Sequence, residues 1–191
     1  GDGIEDLAIG EVSNDDGGDS NGAVWIFFMN ANSSVKSEYK INVSRLGNGN
    51  ELSSDNFGSS VANIGDLNGD GVTDIVVGEQ GNDDGGDFNG AVWILFLNTS
   101  GGVIDEYKIN ESSLSVDLSG DLFGVSVANI GDLDGDGVTD IVVGEDFNDD
   151  GGTTSNGAVW ILFMNSNGSV KGDYKINESR FGNGNELADN G

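Results

Sequence analysis

The sequence predicts an all-β fold of about three tandem, four-stranded antiparallel units, and three observations predict it. The string GAVW recurs at Gly22, Gly90 and Gly157, 68 and then 67 residues apart, which marks a tandem array. Each recurrence opens an apolar run such as AVWILFL at 91–97, short and rich in β-branched and aromatic residues, as in a strand covered on both faces. The 33 glycines fall mostly beside Asn and Asp, in the pairs that build tight turns, because these residues tolerate positive φ. No segment carries an amphipathic helical period with caps.

The second unit shows the elements in order. A strand over Ser59 to Ile64 leads into an Asx- and Gly-rich loop, and a second strand covers Asp74 to Gly78. The NDDGG run beginning at Asn82 recurs at Asn14 and Asn148 and reads as an acidic hairpin loop in preference to a second cation site, because its ligand spacing is poor. The apolar strand, Gly90 to Asn98, and a fourth strand, Val103 to Ile109, complete the unit. The segment Val61 to Glu79 returns at Val127 to Glu145 with one change, Asn68 against Asp134, so the two copies should fold alike. Gly1 corresponds to Gly69, and the first unit therefore lacks its opening strand. The expected units are 1–56, 57–122 and 123–191. With no initiator Met and no leader pattern at Gly1, the chain is expected to be a fragment or a processed product.

Composition narrows the function. The chain of 191 residues carries 34 acidic and 7 basic side chains, a formal charge of -27. A nucleic-acid partner is excluded, because phosphate binding needs a basic footprint. No apolar run approaches the roughly 20 residues that span a bilayer. Cys, His and Pro are absent, which removes disulfides, thiolate and imidazole metal sites, Cys nucleophiles and His-based triads.

One metal chemistry remains, that of oxygen ligands. In DLNGDGVTD, the side chains of Asp66, Asn68, Asp70 and Asp74 stand at positions one, three, five and nine, and Val72 at seven can offer its carbonyl. Alternating short carboxylates in a tight turn suit calcium, which takes 6 to 8 oxygens at about 2.3–2.6 Å, and Gly71 permits the bend. The second copy places Asp132, Asp134, Asp136, Val138 and Asp140 in the same way; Gly1 to Asp6 keeps only Asp2, Ile4 and Asp6. Val77 and Val143 stand where an EF-hand needs Glu, and a β-strand follows, so these are not EF-hands. The expected cation is calcium, in a structural role. The competing reading is a solvated Asx-rich turn.

The stretch FGSSVANIGDLNGDGVTDIVVGE followed by NGAVWILFLN resembles the FG-GAP repeat family, the blades of integrin α-subunit propellers. The resemblance covers the second and third units and the first without its opening strand. It departs at Gly78 and Gly144, where GEQ and GED replace the family's GAP. It implies four-stranded β-propeller blades with a cation stapling the turn between a blade's first two strands. Three units are too few for an ordinary closed propeller of four to eight blades. Further repeats of the same chain, other copies joined in a ring, or an open stack would complete the array.

Asn-x-Ser/Thr sequons lie at Asn32, Asn42, Asn98, Asn110, Asn167 and Asn177, two per unit and at equivalent positions. They predict N-linked glycans on turns and strand ends and therefore a secreted or cell-surface protein. Trp25, Trp93 and Trp160 lie inside the apolar strands and are expected to anchor the core and not to serve as sugar platforms. The expected function is a non-enzymatic extracellular scaffold or adhesion module, calcium-binding and glycosylated, built from repeats suited to a fibre or surface layer. The alternative is an integrin-like module that recognises a protein or glycan ligand as part of a larger propeller. Paired carboxylates can hydrolyse glycosides, but the acids here belong to repeated loops, and no catalytic residue unique to one unit stands out.

Overall fold

The computed structural model describes residues 3–16, 21–47, 56–84, 87–114, 116, 118, 120–147 and 157–177. Three separate antiparallel sheets follow one another along the chain. The first contains β1 (Leu7–Glu11), β2 (Ala23–Met29) and β3 (Val35–Ile41). The second contains β4 (Phe57–Gly65), β5 (Asp74–Glu79), β6 (Ala91–Leu97) and β7 (Val103–Ile109). The third contains β8 (Ser126–Gly131), β9 (Asp140–Glu145), β10 (Ala158–Met164) and β11 (Val170–Asn177). Each is a meander in which neighbours in sequence are neighbours in space. The fold is an all-β array of blades that does not close into a ring. The one short α-helix among the described residues, α1 (Glu111–Leu114), and a 3-10 turn at Val43–Arg45 follow the last strands of the first two sheets, at Asn-Glu-Ser-Ser and Asn-Val-Ser segments where side chains bond the local backbone.

The strands differ from the sequence reading chiefly at their ends. The opening strand starts at Phe57 and not at Ser59, and the apolar strand is trimmed to Ala91–Leu97. Phe57 enters the sheet because it bridges in parallel to Gly22 of the preceding blade, a tertiary contact that local propensity does not report. The hairpins closing the blades share one design. Ser33, Gly101 and Gly168 occupy the same turn position at φ of 64°, 82° and 83°, next to a bulge after Phe28, Phe96 and Phe163.

The blades pack face to face. Val24, Ile26 and Ile41 of the first meet Ile75, Val77, Trp93 and Leu95 of the second in one buried cluster. Val76, Val92, Ile94 and Phe96 of the second meet Ile141, Val143, Trp160 and Leu162 of the third in another. Successive side chains of a strand point to opposite faces, so the apolar strand is buried throughout only where blades flank it on both sides, and β6 alone among the three has all seven residues buried.

Close backbone approach explains the FG pair. A Cβ on Gly10 would collide with the Gly58 carbonyl, and one on Gly78 with the Gly124 carbonyl. The penultimate glycine of β1 or β5 thus lies against the FG glycine of the next blade, where a side chain does not fit.

Candidate metal centres and the staples around them

The loop joining β4 to β5 is wound around the Asp66 carboxylate. Its Oδ1 accepts the Asp70 N–H at 2.9 Å and its Oδ2 the Gly71 N–H at 2.8 Å. Asn68 Oδ1 accepts the same Asp70 N–H at 2.9 Å, and Asp70 Oδ1 accepts the Val72 N–H at 2.8 Å. Gly69 and Gly71 make this winding possible at φ of 79° and 88°. The loop joining β8 to β9 repeats it: Asp132 accepts from Asp136 and Gly137, Asp136 accepts from Val138, and Gly135 and Gly137 have φ of 80° and 91°. Here one oxygen each from Asp132, Asp134 and Asp136 lie within 4.8 Å of one another, all three residues exposed. The donor set is oxygen only and strongly anionic, which fits a hard divalent cation and no soft one.

The two loops differ in how charge is balanced. Asp134 replaces Asn68, and in the third blade the Lys171 ammonium from β11 lies 2.8 Å from Asp134 Oδ2 and also bonds Asp136. This contact holds the Asp136 carboxyl below its usual range and the Lys171 ammonium above its own. In the second blade the equivalent residue is the exposed Ile104, and Asn68 Nδ2 donates to Asp70 Oδ2 at 3.2 Å. One added acid is thus matched by one added base, and the two loops keep the same net charge.

Asp74 and Asp140 stand apart from the exposed carboxylates. Each is fully buried. Asp74 Oδ2 accepts the Leu67 N–H at 2.9 Å and its Oδ1 the Leu97 N–H at 3.1 Å; Asp140 does the same with Leu133 and Met164. Burial holds the Asp74 carboxyl above the usual carboxylate range despite both donors. In the first blade Asp6 accepts the Met29 N–H at 2.9 Å. The ninth-position acid therefore ties the loop to the end of the apolar strand in all three blades, a long-range role that loop spacing does not reveal. A carboxylate oxygen has two lone pairs, so this bonding leaves room for a cation. Asp2 lies outside the described residues.

A second repeated constellation escaped the sequence reading. The indole N–H of Trp93 donates to Glu79 Oε2 at 2.9 Å, Lys108 Nζ lies 3.2 Å from that oxygen, and the ammonium sits 5.0 Å above the Trp93 ring. Trp25, Glu11 and Lys40 repeat it, as do Trp160, Glu145 and Lys175. A buried tryptophan N–H needs an acceptor, a buried carboxylate needs a counter-charge, and the lysine stacks on the ring while supplying it. The signal was present: three of seven basic residues sit in KIN strings at a constant distance from GAVW, each preceded by a Glu that closes IGE or VVGE. The same lysines reach the NDDGG loops, where Lys40 and Lys108 bond Asp16 and Asp84 at 2.6 and 2.7 Å. In these two loops Asn14 and Asn82 are buried and cap the turn at Asp16 and Asp84. The third run, at Asn148, lies outside the described residues.

Trp93 and Trp160 are buried core residues, each edge-on to the FG phenylalanine of its own blade, Phe57 and Phe123, at 6.3 and 6.2 Å. Among the described residues no FG phenylalanine stands edge-on to Trp25, which stacks on Phe27 at 5.9 Å. At the sequons of Asn32, Asn98 and Asn167, the Ser hydroxyl two residues on donates to the Asn Oδ1 at 2.7 Å, and the same bond forms at Asn42 and Asn110 at 2.7 and 2.8 Å. Asn32 and Asn167 are exposed; Asn42, Asn98, Asn110 and Asn177 are half-buried. A cleft of about 460 Å³ lies between the first two blades, lined among others by Asp6, Lys36, Val72, Thr73 and Thr99.

Comparison with known proteins follows the same segments. The FG-GAP repeat family matches residues 57–95 and 123–162, which begin at Phe57 and Phe123 and run through the loop into the apolar strand. Integrin alpha-4 of Xenopus laevis is 30% identical over 146 residues, 75% of this chain and 13% of that protein. Integrin alpha-PS5 of Drosophila melanogaster is 38% identical over 112 residues, 59% of this chain and 10% of that protein. Integrin alpha-6 of Homo sapiens is 38% identical over 96 residues, 49% and 8%. The chain thus spans a small fraction of the length of these relatives. With the FG approach, the wound acidic loop and the buried GAVW strand in place in the matched blades, the chain belongs to the integrin-like FG-GAP repeat family.

Proposed function

We propose that the chain is a non-enzymatic, extracellular scaffold or adhesion module whose repeats, 1–56, 57–122 and 123–191, are stapled by calcium and coated by N-linked glycans. The observation that carries this reading is the convergence of Asp132, Asp134 and Asp136 on one exposed point, repeated in design by Asp66, Asn68 and Asp70. Calcium would be held by these side chains with the Val72 and Val138 carbonyls and with Asp74 and Asp140 behind them. Asp2, Ile4 and Asp6 would hold it in the first loop. The cation neutralises acids that otherwise repel one another and so favours the wound loop over the open chain. Glycans on the six sequons would coat the turns and strand ends, with the Asn–Ser bonds at five of them presetting the local geometry.

The test is a thermal melt of Asp70→Ala, Asp136→Ala and the parent chain in calcium and in EDTA. Calcium at about 100 times its Kd stabilises the parent by about 2.7 kcal/mol for each loop it occupies, roughly 5–10 °C per loop for a chain of this size. Each variant loses more in calcium than in EDTA, where it forfeits the side-chain bonds of Asp70 with Val72 and Asn68, or those of Asp136 with Val138 and Lys171. Equal losses in both buffers would show that the acids act without a cation. A second reading, recognition of a protein or glycan ligand, is favoured by the cleft between the first two blades, where Asp6 and Lys36 offer opposite charges beside threonine hydroxyls.

A further inference from the structure

The two ends of the array present sheet faces that are chemically the same as faces already buried inside it. The outer face of the first sheet carries Leu7 and Ile9, each 48% exposed, with the half-buried Trp25, Phe27 and Met29. Their equivalents in the second sheet are Ile75, Val77, Trp93, Leu95 and Leu97, all buried against the first. In the third sheet they are Ile141, Val143, Trp160, Leu162 and Met164, all buried against the second.

The outer face of the third sheet carries Val159, Ile161 and Phe163, with Val159 39% exposed. The same three residue types, Val24, Ile26 and Phe28, form the first sheet's contact with the second, and Val92, Ile94 and Phe96 the second sheet's contact with the third. One apolar face that twice receives a Val-Ile-Phe face within the chain is therefore open at one end, and a Val-Ile-Phe face is open at the other. Among the described residues no strand pairs with β1 on the side that β4 and β8 take in the other blades.

We infer that these two faces bind each other between copies of this chain, head to tail, so that the third blade of one copy seats on the first blade of the next by the packing that already joins the blades within a copy. The occupant is a second copy because the complementary face is on the same molecule, and inside the chain an identical Val-Ile-Phe face twice packs against an apolar face of like character built around a tryptophan. Such an interface is heterologous: each copy retains one free face of each kind, and growth continues until a ring closes or a filament extends. The inference deepens the scaffold reading, since it supplies the repeating contact, yet it depends on the apolar faces and not on the acidic loops.

The experiment uses the 191-residue chain and two single variants, Ile9→Asp on one face and Ile161→Asp on the other, in sedimentation velocity up to about 100 μM, in calcium and again in EDTA. The parent is expected to associate with rising concentration. Each variant alone is expected to stay monomeric, because it retains only one competent face. An equimolar mixture is expected to form a 1:1 heterodimer and nothing larger, since the intact third-blade face of Ile9→Asp meets the intact first-blade face of Ile161→Asp. This rescue also shows that both variants are folded.

A parent that stays monomeric, a variant that associates as the parent does, or a mixture that behaves as its separate components would overturn the inference. Association in both buffers together with no calcium-dependent melting would sink the calcium reading and leave the end-to-end contact standing. Calcium-dependent melting of a strictly monomeric chain would do the reverse.

Discussion

Glu145 illustrates how a single residue's chemistry depends on its blade. Its side chain is buried, accepts the Trp160 indole N–H at 2.6 Å and pairs with Lys175 at 3.1 Å. Burial, helped by a hydrogen bond with Asp121, nevertheless pushes its carboxyl up to about 7. In the first blade Glu11 makes the same contacts with solvent at hand, and its carboxyl is held below the usual range, first by the Trp25 hydrogen bond. A folded-state value raised above the unfolded one means that the native protein binds the proton more tightly. This stability is fully present below about pH 4.5 and is lost as the pH rises to about 7. In EDTA, where the acidic loops hold no cation, the contribution of Glu145 therefore falls between pH 5 and 7, by at most about 1.4 kcal/mol per pH unit. Glu145→Gln should flatten this slope, measured by urea denaturation across that range; an unchanged slope would show that Glu145 does not titrate there.

At the scale of the element, the penultimate glycines of β5 and β9, Gly78 and Gly144, have the same sequence context and different neighbours. A Cβ at Gly78 meets the Gly124 backbone carbonyl of the next blade, which cannot move without shifting the blade. A Cβ at Gly144 meets only the Ser126 side chain and Val125. Gly78→Ala should therefore destabilise the chain by about 2–4 kcal/mol and Gly144→Ala by clearly less, as read from chemical denaturation midpoints. Equal effects would mean that intrinsic strand propensity, and not the approach of the FG strand, selects glycine here. The same logic explains why Phe57 and Phe123 are core residues. They bridge to Gly22 and Gly90 of the preceding blade and pack edge-on against Trp93 and Trp160, so each FG strand joins two blades.

For the whole molecule, a formal charge of -27 on 191 residues opposes compaction wherever acids are not paired. The pairing found is local and repeated: Lys40 and Lys108 each bridge two acids, and Lys171 bridges the two of the third loop. Raising the salt from about 0.05 to 0.5 M shortens the screening length severalfold. The EDTA melting temperature should therefore rise with sodium chloride, by several degrees, and the rise should be smaller in calcium, where the loops are already neutralised. A melting temperature indifferent to salt in EDTA would mean that the paired lysines alone relieve the repulsion. Stacked repeats also divide the core between neighbours, so the middle blade, flanked on both sides, is the best buried.

The repeat period, the all-β class, the apolar strand and the acidic loop with its bend-permitting Gly71 were legible in the sequence, because each is a local pattern of spacing and residue type written out two or three times. Long-range partners were not. That Asp74 and Asp140 clasp the ends of β6 and β10, that Glu79, Trp93 and Lys108 form one buried unit, and that Lys171 balances Asp134 all depend on strand register, which brings together residues 14 to 37 apart. Which face of a strand is covered was likewise decided only in three dimensions. Leu7 and Ile75 hold the same place in nearly the same motif, but Leu7 is 48% exposed and Ile75 is buried against the blade before it. Burial follows from what is packed against a residue, and in a stack of near-identical blades that is set by position in the array.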